Sequence, residues 1–170
     1  NIEVRLADKN EKLTLLDGKE VGLTPDTLVI ADKNKVVAMA GVIGGLDTAV
    51  TDKTEDVFLE CAFFAPLAIA GKARSYGMHT DASHRYERGG DYELQQRAME
   101  RGTQLLLEIA GGESGPITEA IGNLPAALTI NLKYRSISRL LGMQIEQREV
   151  RDILTRLGFK LLAENPDSLT

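Results

Sequence analysis

The sequence predicts an α+β fold, with strands crowded into the first half and helices coming late. Three observations predict it. Apolar and polar residues alternate from Ile2 to Leu23 around an Asp17-Gly18 turn, two nearly continuous apolar runs follow at residues 28–31 and 36–43, and helical spacing takes over only after Asp91. Of the 170 residues, 43% are hydrophobic and 26% charged, enough apolar surface for one full core plus a partial one, which excludes a disordered chain.

Taken in order, Ile2, Val4 and Leu6 alternate with polar neighbours, and Leu13 and Leu15 do so before Asp17-Gly18. That pair tolerates positive φ and marks a hairpin. Val21 and Leu23 resume the alternation. After Thr24-Pro25-Asp26, residues 28–31 and 36–43 read as strands covered on both faces, the second ended by Gly44-Gly45. Residues 57–64 read as another strand. Pro66 suits the first turn of a short helix, where its missing N–H would have no partner anyway, and Gly77 stops that helix.

The clearest helix is expected after Asp91 as N-cap, with Glu93 in the first turn where the macrodipole favours an anion. Leu94, Ala98, Leu105 and Ile109 form its stripe, Gly102 permits close packing, and Gly111-Gly112 ends it. Residues 117–121 add a candidate strand. The stretch 122–126, with its glycine and proline, reads as a linker between a unit at 1–121 and a smaller one at 127–170. In the latter Leu128, Ile130 and Leu132 alternate. Ile137, Leu140 and Leu141 suit a short helix ending at Gly142, and Val150, Ile153, Leu154 and Leu157 form a second amphipathic face stopped by Gly158.

Composition narrows the function classes. No apolar stretch reaches the roughly 18 residues of a membrane span, and no basic-then-apolar signal opens the sequence. The single cysteine, Cys61, excludes an internal disulfide and a multi-cysteine zinc site, which fits a reducing, cytoplasmic setting. Twenty basic against 25 acidic side chains leave a formal charge of −5, so nucleic-acid binding would need a local basic cluster or a partner subunit.

The polar chemistry concentrates in M-H-T-D-A-S-H-R-Y-E-R-G, residues 78–89, read as an irregular stretch that holds both histidines of the sequence. Upstream lies F-L-E-C-A-F-F-A-P, an apolar run with one carboxylate, Glu60, expected to be buried and therefore in need of a partner. Arg74, Arg85 or Arg88 could pair with it and lock the loop to the sheet; a ligand contact is the alternative. Gly41, Gly44 and Gly45 end a strand, where the plain reading is a turn or bulge. Thr80-Asp81 alone reads as a helix cap or Asx turn. His79 and His84, five apart, do not share a helical face and no thiolate is near in sequence, so no metal is expected. Fixing the loop by hydrogen bonds suits either histidine better than acting as a general base. Ser83 beside His84 lacks the context of a nucleophile and is not assigned a covalent role. Arg97 and Arg101 join the other arginines among Glu87, Glu93 and Glu100, as in a salt-bridged surface.

These two stretches resemble the β chain of bacterial phenylalanyl-tRNA synthetase. The resemblance extends to L-T-L-L-D-G, D-T-L-V-I-A-D and A-M-A-G-V-I-G-G early on, to A-M-E-R, and later to A-L-T-I-N-L, S-R-L-L-G and V-R-D-I-L-T-R-L-G-F. It implies a layered α/β sandwich, mixed sheets with helices on one side, that forms the editing module of the family, followed by the start of its next small α/β domain. It implies hydrolytic proofreading of tyrosine mischarged onto tRNA(Phe), with Glu60 recognising the phenolic hydroxyl and Gly44, Thr80 and Ala82 matching pocket residues. Gly41, Gly45, His79, His84 and Arg85 would support that pocket; no catalytic residue is assigned. A further histidine of the family's editing site has no counterpart in this sequence. The implied partners are tRNA(Phe) and the synthetase α chain in an α₂β₂ ligase, with ATP and magnesium used elsewhere and no cofactor, DNA or membrane required here. The alternative is a non-catalytic scaffold or RNA-positioning module of the same β chain.

Overall fold

In the computed structural model, which describes residues 2–170, the chain divides into two compact units, one ending at Glu119 and the other spanning Ala120–Thr170. The class is α+β, and every strand pairing among the described residues is antiparallel.

The first unit opens with β1 (Glu3–Leu6), β2 (Lys12–Thr14), β3 (Glu20–Gly22), β4 (Leu28–Ala31), β5 (Val36–Met39) and β6 (Ile43–Gly44). β2 and β3 form the predicted hairpin, with Gly18 at φ 84° and Leu15 N–H donating to Lys19 O at 2.9 Å. The other strands make a sheet in the order β1-β4-β5-β6. A bridge between Leu15 and Gly45 ties the hairpin to that sheet. The run at 36–43 is thus two strands rather than one, because Gly41 at φ 65° lets the chain reverse between Met39 and Ile43.

The alternation in β1 predicted the strand but not its inner face. Val4 and Leu6 are 52% and 55% exposed. Arg5 shares its register with the buried Val29 and Met39, and at the sheet edge its guanidinium grips Glu11 through two hydrogen bonds of 2.7 and 2.9 Å. The core lies behind this sheet and the hairpin, where Leu15, Val29, Met39 and Ile69 are fully buried. Each such side chain contributes about 1.5–3 kcal/mol relative to exposure.

Helices follow: α1 (Pro66–Ile69), α2 (Lys72–Ser75), α3 (Asp81–Tyr86) and α4 (Gln95–Ala110). Pro66 sits at the start of α1 as expected. Gly71 at φ 76° divides what the sequence suggested as one helix ending at Gly77. Tyr76 then fastens this segment to the turn before β4: its hydroxyl accepts from Thr24 N–H at 2.8 Å and shares hydrogen bonds with the hydroxyls of Thr24 and the fully buried Thr27 at 3.1 and 2.6 Å.

Two expected strands do not form. Residues 57–64 and 117–121 carry no regular secondary structure, and residues 57–60 are exposed. No strand runs beside either among the described residues, and apolar pattern alone does not supply the ladder partner a strand needs. α4 begins four residues beyond Asp91, which instead accepts Glu93 N–H in an Asx turn at 2.9 Å. Its predicted stripe is largely outward: Leu94, Leu105 and Ile109 are exposed, and the half-buried side carries Ala98, Met99, Gly102 and Thr103 against the 57–59 segment.

The second unit contains β7 (Leu132–Lys133), α5 (Tyr134–Leu141), α6 (Gln147–Arg156), β8 (Glu164–Asn165) and β9 (Ser168–Leu169), with sheet order β7-β9-β8. Both predicted helices form and stop where expected, Gly142 at φ 70° and Gly158 at φ 86°. The alternation from Leu128 yields a strand only at its last residue. Unforeseen was the β8–β9 hairpin, whose Asn-Pro-Asp turn is closed by Asn165 Oδ1 accepting from Asp167 N–H at 3.0 Å and Ser168 N–H at 2.9 Å.

Candidate functional site

The segment 78–89 is not irregular: α3 occupies its middle. Thr80 starts the helix as a capping box. Its Oγ1 accepts Ser83 N–H at 3.0 Å, while Ser83 Oγ accepts Thr80 N–H at 3.2 Å and donates to Thr80 O at 2.9 Å. The Thr80 hydroxyl proton goes elsewhere, to Val42 O at 2.7 Å. One side chain therefore caps α3 and clamps it to the turn between β5 and β6. Ser83, 3% exposed, has its hydroxyl engaged in the cap and no role left as a nucleophile.

Ala82 and Tyr86 lie one helical turn apart and so share a face of α3. The Tyr86 ring leans on Phe64, with centroids 5.2 Å apart and planes at 46°. Gly41 lies over both: a Cβ built there would stand 3.2 Å from Phe64 Cδ2 and from Tyr86 Cβ and Cγ. The glycine is needed twice, for its positive φ and for this approach. Burial raises the Tyr86 pKa, and the charges of Glu60 and Cys61 raise it further.

Glu60 departs from the expectation of burial. It is exposed as a residue, although its carboxyl is crowded enough for desolvation to raise its pKa. The two observations agree if its backbone and stem carry the accessible area. Among the described residues it forms no ion pair, with Arg74, Arg85, Arg88 or any other cation. The loop-locking pair considered from the sequence is absent.

The remaining candidates divide. Gly44, half-buried on β6, has room for a Cβ, with only Leu16 Cδ1 near at 3.7 Å. Gly45 is structural: a Cβ there would meet Val37 O at 2.7 Å and Leu13 Cδ1 at 2.9 Å. The His79 and His84 rings are 5.9 Å apart and both residues are exposed. Arg88 Nη1 donates to His84 O at 2.7 Å, to Glu87 Oε1 at 3.0 Å and to His84 Nδ1 at 3.1 Å. A guanidinium only donates, so Nδ1 accepts and a neutral His84 carries its proton on Nε2. Arg85 is exposed and forms no ion pair among the described residues. No group of three or more His, Cys, Asp or Glu residues among them could hold a metal.

The structure thus ties Thr80 to Val42, two residues before Gly44, and gathers Gly41 and Phe64 around Tyr86 of α3. Glu60, Gly44, Thr80 and Ala82 are not among the residues lining two of the chain's cavities. A cavity of about 670 Å³ lies instead between residues 57–59, α4 and residues 113–118. Another of about 430 Å³ lies within the second unit. Sequence reasoning missed Phe64, Tyr86 and Val42. The spacing of Tyr86 from Ala82, four residues, was the available signal for the first shared face.

Residues 1–111 match the family described as the B3/4 domain. The chain is 56% identical over 166 residues to the phenylalanine–tRNA ligase beta subunit of Pseudoalteromonas translucida, which covers 96% of this chain and 21% of that protein. It is 58% identical over 160 residues to the protein of the same name from Colwellia psychrerythraea, covering 93% and 20%. Against that of Hahella chejuensis it is 55% identical over 159 residues, covering 92% and 20%. The chain spans about a fifth of the length of these curated relatives.

Proposed function

The chain belongs to the B3/4 domain family, and from that membership we propose that it works as the proofreading part of a phenylalanine–tRNA ligase beta subunit, hydrolysing tyrosine mischarged onto tRNA(Phe). The observation that carries the reading is Glu60: a carboxyl partly desolvated and, among the described residues, without an ion-pair partner.

The chemistry follows from the difference between the two amino acids. A hydrophobic synthetic site rejects an added hydroxyl by only about a hundredfold. A second site that hydrogen-bonds the hydroxyl inverts the test, because phenylalanine leaves its buried acceptor unsatisfied; discrimination of about 10⁴ is then attainable. Glu60 accepts from the phenolic hydroxyl. Gly44 leaves room beside the backbone, and Thr80 and Ala82 form the mouth, Ala82 by being small. His79, His84 and Arg85 support the segment, His84 through Arg88. Water attacks the aminoacyl ester, positioned by the pocket rather than by a covalent intermediate.

The rest of the reading concerns the ligase as a whole. Its layered editing module, its α chain, tRNA(Phe), and the ATP and magnesium of amino-acid activation belong to an α₂β₂ cytoplasmic enzyme.

The test is deacylation of tyrosyl-tRNA(Phe) by the ligase carrying this chain. Wild type should hydrolyse it in preference to phenylalanyl-tRNA(Phe), and Glu60→Ala should shrink that preference. Hydrolysis of neither ester by wild type would leave the scaffold reading.

A further inference from the structure

We propose that Gln95 is a positioning residue for Glu60, a role that rests on the proofreading reading: its side-chain amide holds, through Ala62 O, the segment from which Glu60 meets the tyrosyl hydroxyl. That segment has no ladder of its own, since residues 57–64 carry no regular secondary structure. α4 stands in for the missing strand. A Cβ built on Gly102 would lie 3.5 Å from Leu59 Cδ2, Gln95 Nε2 donates to Ala62 O at 3.4 Å, and the Phe63 and Tyr92 rings meet edge-on with centroids 5.8 Å apart and planes at 70°. Gln95 and Gly102, two helical turns apart, share the half-buried side of α4. Glu60 lies between the anchors at Leu59 and Ala62, so its backbone is held on either side.

The amide suits this task better than it suits the core. Nε2 also donates to Asp91 O at 3.2 Å, and the reverse orientation would press Oε1 against the same two carbonyl oxygens, which fixes the assignment of the amide. Oε1 is buried and accepts from no donor among the described residues. An unsatisfied buried acceptor destabilises the fold, and an apolar side chain of similar length would pack there without that cost. The bond to Ala62 is long and adds little energy. Its value lies in where it puts the segment two residues from Glu60, because misplacing an interacting group by about 1 Å loses up to about a hundredfold in rate.

Gln95→Met keeps the length of the side chain and removes the amide. In the ligase carrying this chain, the melting temperature should stay at the wild-type value or rise, while the ratio of deacylation rates, tyrosyl-tRNA(Phe) over phenylalanyl-tRNA(Phe), should fall by about three- to a hundredfold. Gln96→Met is the control: that exposed amide reaches Glu100 along α4, and its loss should move neither readout. A melting temperature well below wild type in Gln95→Met would make Gln95 a structural residue and overturn the proposal. An unchanged ratio, or an equal fall of both rates, would deny it any hold on Glu60 while leaving proofreading intact. Equal loss of the ratio in both methionine variants would assign the effect to α4 as a whole and overturn it too. If wild type deacylates neither ester, the proofreading reading itself fails and takes this role with it.

Discussion

Thr80 is the point at which structure and proposed site meet, and Thr80→Val separates its contributions from mere shape. Valine replaces the hydroxyl by a methyl of similar size, so the packing volume is kept. Two bonds go: the cap from Ser83 N–H at 3.0 Å and the donation to Val42 O at 2.7 Å. Losing an N-cap costs about 0.5–2 kcal/mol. Losing the second bond, whose acceptor is the carbonyl of a buried residue, adds about 0.5–1.5 kcal/mol. The expected loss is therefore about 1–3.5 kcal/mol, a fall in the urea midpoint of roughly 1 M at an m-value near 2 kcal/mol/M. Thr80→Ser keeps the hydroxyl and should stay within about 0.5 kcal/mol of wild type. Urea titration followed by far-UV circular dichroism reads the midpoints, and the Ser83 amide should exchange faster in the valine variant only. Equal midpoints for valine and serine would refute the argument that Thr80 clamps α3 to the β5–β6 turn.

Gly41→Ala should destabilise by about 2–4 kcal/mol, combining a left-handed backbone with overpacking, since a Cβ built there stands 3.2 Å from both Phe64 and Tyr86; thermal melts check it. Tyr76→Phe should cost about 1–2 kcal/mol by removing the hydroxyl that joins Thr24 and Thr27 to the α2 segment, read in the same titrations. Glu60 should show the opposite sign. Its folded pKa is raised by desolvation, so the folded state holds the proton more tightly, and stability falls as pH rises from the ordinary value of 4.5 through the raised one. Glu60→Gln should flatten that stretch of the pH–stability curve without loss of stability at neutral pH; a marked loss there would restore a structural pairing for Glu60. Glu11, lowered by its bond to Arg5, gives the reverse: its stabilisation should be complete above the ordinary value of 4.5 and lost as pH falls through the lowered one, a trend Glu11→Gln should abolish.

The local elements were legible in the sequence because their causes are local. Asp17-Gly18 made a hairpin, Pro66 opened a helix, Gly142 and Gly158 ended two more, and the resemblance carried by residues 78–89 agrees with the family match. Backbone conformation and capping act within a few residues, and a sequence window contains all that they need. Tertiary structure alone decided the rest. Whether residues 57–64 become a strand depends on a partner that the window does not contain, and whether Val4 or Arg5 faces inward depends on which side of the sheet the core occupies. The same holds at the site. Glu60 was recognisable as a carboxylate among apolar neighbours, but its lack of an ion pair among the described residues was not, and Thr80 reaches Val42 across 38 positions. Desolvation and ion pairing are set by what packs around a group in space, which periodicity along the chain does not encode.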